Sequence, residues 1–157
     1  MTVSVWRIGT TRALQLSQLA QGSTLAPGRW HLPPPEGRAV VYAGASRAIC
    51  QLEKRVHCNG VQPVGQALLR LDLPEGAPLE DLRQRMALPD DWIAQEALTQ
   101  QAGIDWRRSG HALGLWVPSA VEPGENNLLL NPDHPAYPSI VLTVERNPST
   151  FDDRMFP

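Results

Sequence analysis

Fifteen prolines and twelve glycines are spread so evenly along these 157 residues that the chain is confined to short strands and helices joined by frequent turns. Proline fixes φ and removes a backbone donor, and glycine favours turns, so each interrupts regular structure wherever it falls. The even spacing leaves no stretch that reads as a linker, and residues 1–157 are expected to form a single compact domain. Strand-like segments precede, interrupt and follow helical ones without a strict β-α-β rhythm. That order predicts an α+β fold with a mixed sheet and flanking helices.

Residues 3–8 alternate as a strand, and residues 11–20 carry helical spacing with Leu14, Leu16 and Leu19 as core candidates. Pro33, Pro34 and Pro35 must lie in a loop, because three successive prolines cannot donate to a ladder. Residues 38–44 read as a short buried strand, and residues 66–73 as another with Ala67, Leu69, Leu71 and Leu73 on one side. Residues 79–109 are expected to be helical, broken at Pro89 and Gly103. Three further strands are predicted at 112–117, 127–130 and 139–145, and residues 151–156 as a short tail or capping strand.

The net charge of −2 offers no broad electrostatic footprint for a polyanion, which argues against nucleic acid and acidic membrane surfaces as partners. A balanced total still permits a local basic pocket, such as one around Arg107 and Arg108, suited to a small anion. The N-terminus lacks the pattern of a signal peptide, and no stretch approaches a membrane-spanning length. Cys50 and Cys58 fall on one predicted helix about 12 Å apart at helical rise, too far for a disulfide. Two reduced thiols suit a cytoplasmic protein.

Residues 46–58 predict a helix with Ser46 as N-cap, an apolar stripe of Ile49, Leu52 and Val56, and a polar face of Arg47, Gln51, Lys54 and Arg55. Glu53 breaks this pattern by projecting inside the apolar stripe. A carboxylate aimed at the protein body must be paired, hydrogen-bonded or functional.

The four histidines lie far apart and no C-x-x-C pair exists, so no metal site is predicted. Gly44, Ser46 and their neighbours lack the second glycine of a nucleophile elbow, and Ser46 is better explained as a cap. Neither G-x-G-x-x-G nor a Walker lysine loop occurs, so any nucleotide must be held differently. What remains is a set of polar residues at strand ends and loop edges: Arg29 with Trp30, Tyr42, Glu53, Ser119, Asn126 and Asn127.

Gly28-Arg29-Trp30, Val41-Tyr42 with Ser46, Leu52-Glu53, Val117-Pro118-Ser119-Ala120, Asn126-Asn127 and Leu130-Asn131-Pro132 follow one another as in the RES-domain family, which the chain resembles over nearly its whole length. His31 stands where asparagine is common in that family, and the loop through Pro33 to Pro35 is richer in proline. The resemblance implies an ADP-ribosyltransferase-like fold and a toxin of a bacterial type II toxin–antitoxin pair. It implies cleavage of the nicotinamide–ribose bond of NAD, as substrate and not as cofactor, and a helix-turn-helix antitoxin as protein partner. Arg29, Glu53 and Ser119 become the expected catalytic residues, and Arg29, Tyr42, Ser46, Ser119 and Asn127 the expected ligand-binding ones. Two alternatives are a noncatalytic binding module, with an Arg29–Glu53 ion pair and exposed tryptophans that dock a partner, and an RNA-cleaving toxin. The second lacks a basic excess and a histidine acid–base pair.

Overall fold

A computed structural model describes residues 2–157. Seven strands form one mixed sheet: β1 (Ser4–Thr10), β2 (Val41–Gly44), β3 (Gln66–Asp72), β4 (Leu79–Asp81), β5 (Gly114–Pro118), β6 (Asn126–Leu130) and β7 (Val141–Arg146). Their spatial order is β4-β5-β6-β2-β1-β3-β7, antiparallel at every junction except β4–β5. The helices are α1 (Arg47–His57), α2 (Leu82–Arg85) and α3 (Glu96–Ser109). This is the expected α+β class.

Alternation along the strands divides the core in two. Val5, Val41, Ala43, Leu69, Leu71, Leu128 and Leu130 pack on one face with Leu19, Tyr137 and Ile140. On the other, Leu115, Val117 and Leu129 meet Trp30, Trp92 and Trp106, and Ile8 and Leu68 meet Cys50 of α1.

At the centre of the sheet the ladder nearly fails. β1 pairs with β3 at seven successive positions but with β2 only at Trp6↔Gly44. Next along β1, Arg7 sends its side chain into the opening, where Nη1 donates to the Tyr42 carbonyl at 3.0 Å. A side chain thus does what a paired backbone would do, and the sheet stays parted.

Several sequence expectations need correction. Residues 11–20 hold no α-helix; the region has two 3₁₀ turns, Leu16–Gln18 and Gln21–Thr24. Leu16 O accepts from Tyr137 Oη and Leu19 O from Arg7 Nη2, so long-range donors take carbonyls that a helix would use. Gly103 does not break α3, which runs through it without interruption. Its missing side chain instead admits another backbone, since a Cβ there would collide with the Trp30 carbonyl. Residues 38–40 precede the short strand β2, and residues 79–81 form β4. The tail is a 3₁₀ turn, Asp153–Met155, anchored by buried Phe151.

Candidate active site

Ser46 caps α1, with Oγ accepting from the Ile49 backbone N–H at 3.2 Å, and it lies outside the lining of the central cavity described below. The buried sector of α1 is displaced from the one its apolar spacing predicts. Leu52 and Val56 are 42% and 57% exposed, whereas Ile49 and Cys50 are buried. At about 100° per residue, the inward arc runs from Ile49 through Glu53 and His57 to Cys50 and Lys54. Glu53 therefore stands near the middle of the inward face, and Lys54, expected on the solvent side, at its edge.

The Glu53 carboxylate is held from β5 and β6. Ser119 Oγ, just beyond the end of β5, donates to Oε1 at 2.7 Å, and Asn127 Nδ2 of β6 donates to the same oxygen at 2.6 Å. Ser119 is fully buried, and its Oγ also accepts from the backbone N–H groups of Val121 and Glu122. Its hydroxyl proton is thereby committed to Glu53. Oε2 has no such partner among the described residues; His57 Nδ1 lies 3.9 Å from it, but its hydrogen bond goes to the Glu53 backbone carbonyl.

Arg29 does not pair with Glu53. Its Nη1 donates to Ile93 O at 2.7 Å, and its backbone is pinned to α3 by Thr99 Oγ1, which donates to Arg29 O at 2.6 Å. Gln100 Nε2 holds the Gly28 carbonyl in the same way. Gly28 is required here because a Cβ would come within 2.5 Å of Tyr42 Oη.

The Tyr42 hydroxyl is also occupied. It lies 2.6 Å from His31 Nδ1 and accepts from the Trp30 backbone N–H. His31 Nε2 faces the carbonyls of Ser23 and Ala26, so it must carry the proton, and Nδ1 accepts from Tyr42. Burial pulls the His31 pKa down and pushes that of Tyr42 up, favouring the neutral form of each. Tyr42 offers the cavity its ring rather than a free hydroxyl.

Arg29, Tyr42, Glu53 and Asn127 all line one cavity of about 670 Å³ where β1 and β2 part, with Ser119 behind Glu53. That volume falls within the roughly 300–1,000 Å³ of ligand pockets. Arg7, His31, Lys54 and His57 line it too, and sequence reasoning assigned none of them a site role. The available signal was Lys54, the only lysine in the chain. Arg7 gave none, because its position depends on the parted strands. Desolvation lowers the pKa of both, and Arg7 lowers that of Lys54 further.

The supposed basic cluster separates. Arg107 is buried, donating to Ala39 O and Asp133 Oδ2, while Arg108 borders a shallow cleft of about 160 Å³ with Arg38. The tryptophans invoked for docking are largely internal: Trp30, Trp92 and Trp106 are all buried. Among the described residues no helix is long and apolar enough to cross a membrane. Both cysteines are free.

Comparison with known proteins agrees with this architecture. The chain is 37% identical to a Prs ADP-ribosylating toxin of a Sphingobium species over 86% of each chain. It is 36% identical to Toxin Res of Pseudomonas putida, over 97% of this chain and 99% of that one. Toxin Res of Photorhabdus laumondii is 32% identical over 96% of both. In fold, it superposes on a chain of the M. tuberculosis MbcT-MbcA toxin–antitoxin complex with a TM-score of 0.67, at 18% identity, covering 99% of this chain and 87% of that one. The RES domain model matches residues 4–152, and with relatives this similar along their length the chain belongs to the RES domain family.

Proposed function

We propose that this protein is the toxin of a bacterial type II toxin–antitoxin pair and consumes NAD by breaking its nicotinamide–ribose bond, passing ADP-ribose to water or another acceptor. The observation that carries this reading is the Glu53 carboxylate, held through Oε1 by Ser119 and Asn127 inside a cavity that Arg29 also lines. An ADP-ribosylating toxin among its relatives supports NAD as the substrate. A toxin–antitoxin complex as structural neighbour supports a cognate antitoxin as partner, and the family resemblance implies that it is of the helix-turn-helix type.

The chemistry suits the residues. When the ribose C1′–N bond breaks, its electron pair passes to the nicotinamide nitrogen and the ring leaves neutral, so no strong general acid is needed. The ribose acquires oxocarbenium character, and a fixed carboxylate stabilises that charge without reorganising. Glu53 takes this role through its open Oε2, with Ser119 and Asn127 as positioning residues. The acceptor then adds its oxygen to C1′ and releases its proton. Arg29 keeps guanidinium N–H groups beyond the one spent on Ile93 for the ligand.

Nicotinamide release from NAD by the purified chain, freed of any antitoxin, tests the proposal. Glu53→Gln still accepts from Ser119 and Asn127 but lacks the charge, so we expect an unchanged melting temperature and turnover reduced about 100-fold or more. Near-normal turnover in the variant would remove Glu53 from the mechanism. No nicotinamide release by the folded wild type, with water, phosphate and protein acceptors supplied, would overturn the function.

A further inference from the structure

The central cavity carries more positive charge than the chain as a whole would suggest. Three basic side chains, Arg7, Arg29 and Lys54, line it against the single carboxylate of Glu53, in a protein whose net charge is −2. Glu53 is already engaged by two neutral donors. Arg7 is enclosed in the opening between β1 and β2, and among the described residues its side chain donates only to the neutral carbonyls of Tyr42 and Leu19. Lys54, half-buried on α1, makes no hydrogen bond or ion pair among the described residues. Removing a cation from water without a counter-charge is costly, and placing two within each other's field adds repulsion. Elsewhere the chain pairs its arginines freely, as with Arg47 and Glu145 or Arg83 and Asp81.

Resting on the NAD reading of this cavity, we propose that Arg7 and Lys54 form an anion subsite that holds the diphosphate of the dinucleotide at the parting of β1 and β2. The diphosphate carries two negative charges, matching two uncompensated cations. Guanidinium supplies a planar pair of donors to phosphate oxygens, and ammonium supplies a compact charge that adjusts to the second phosphate. The subsite would anchor the non-reacting half of the ligand, leaving the ribose for Glu53. Binding energy from such a remote group positions the reacting bond.

The single lysine makes the test direct. Reductive methylation of the intact folded protein can modify only Lys54 and the N-terminal amine, and mass spectrometry separates the two. ADP-ribose and inorganic pyrophosphate should each slow Lys54 methylation at least about 5-fold, adenosine should not, and inorganic phosphate should need much higher concentrations. In nicotinamide-release assays, Lys54→Gln should raise KM for NAD by about tenfold, a loss of about 1.4 kcal/mol, with kcat changed far less. Lys54→Arg should recover most of that loss, and Glu53→Gln should keep the protection while losing kcat. The substitution is made at Lys54 because this side chain carries no structural bond, whereas Arg7 also ties Tyr42 and Leu19.

Absence of protection by both diphosphate ligands overturns the subsite, as does equal protection by adenosine. Equal potency of phosphate and pyrophosphate assigns the pocket to free phosphate instead and overturns the diphosphate. If nicotinamide is never released yet pyrophosphate still shields Lys54, the catalytic reading fails and the anion subsite stands. If NAD is consumed with an unshielded Lys54 and an unchanged KM in Lys54→Gln, the subsite alone fails.

Discussion

Glu53, partly exposed, and His31, buried, show two ways in which an inward-facing polar side chain is accommodated at the scale of one residue. Glu53 keeps one oxygen bonded twice and the other open to the cavity, an asymmetry suited to a group that acts on a ligand. His31 has every ring position satisfied, with Nδ1 accepting from Tyr42 and Nε2 donating to Ser23 and Ala26. Its role is to brace the turn that presents Arg29. Because burial lowers its folded-state pKa below the unfolded value of about 6.5, the folded protein binds fewer protons than the unfolded chain as the solution is acidified. The stabilisation is full above that unfolded value and is lost as pH falls toward the lowered one. We expect His31 to contribute up to about 1.4 kcal/mol of lost stability per pH unit within this window. Urea unfolding at pH 7 and pH 5 checks this: the wild type should lose more stability on acidification than His31→Asn, and identical losses would exonerate His31. Glu53 was legible from sequence because it interrupts an apolar pattern. The commitment of the Tyr42 hydroxyl to His31 was not, since it depends on a turn and a strand meeting across ten intervening residues.

Helices α1 and α3 make the same point for elements. The limits of α1 were readable from Ser46 and the apolar spacing, but its buried sector was not, because Leu52 and Val56 lie exposed while the sheet covers Ile49 and Cys50. Removing the cap in Ser46→Ala should cost about 1 kcal/mol in urea unfolding and leave KM for NAD unchanged. A raised KM with intact stability would instead give Ser46 the ligand role that the family resemblance suggests. In α3, Gly103 is weak as a helix former yet necessary as a contact. On propensity alone Gly103→Ala should gain up to about 1 kcal/mol. Its Cβ, however, would run into the Trp30 carbonyl, so we expect a net loss of about 2 kcal/mol or more in thermal or urea unfolding. Since Arg29 precedes Trp30, the same variant should also impair NAD consumption. A stabilised variant would show that the backbone separates there without cost.

Across the whole molecule, the parted sheet unites the parts. A continuous β1–β2 ladder would leave no space for the cavity, whereas a single bridge at Trp6↔Gly44 keeps the two halves joined beside it. Cys50 sits at this junction, with Sγ donating to Trp6 O at 3.1 Å, and burial pushes its thiol up to about 11. At pH 8 it should therefore react with a thiol reagent at least about 100-fold more slowly than Cys58, and the difference should vanish in denaturing urea. Comparable rates in the native protein would mean that the β1–α1 junction opens readily. The amino-acid sequence by itself determined the α+β class, the positions of most strands, the cap of α1 and the anomaly of Glu53, because these follow from spacing and local backbone preference. Only the tertiary structure decided which arc of α1 faces inward, that Arg7 and Lys54 line one cavity with no ion-pair partner among the described residues, and that Ser119 and Asn127 converge on one carboxylate oxygen. Those contacts join residues many positions apart, and the packing of β1, β2, β6 and α1 around a gap in the sheet brings them together.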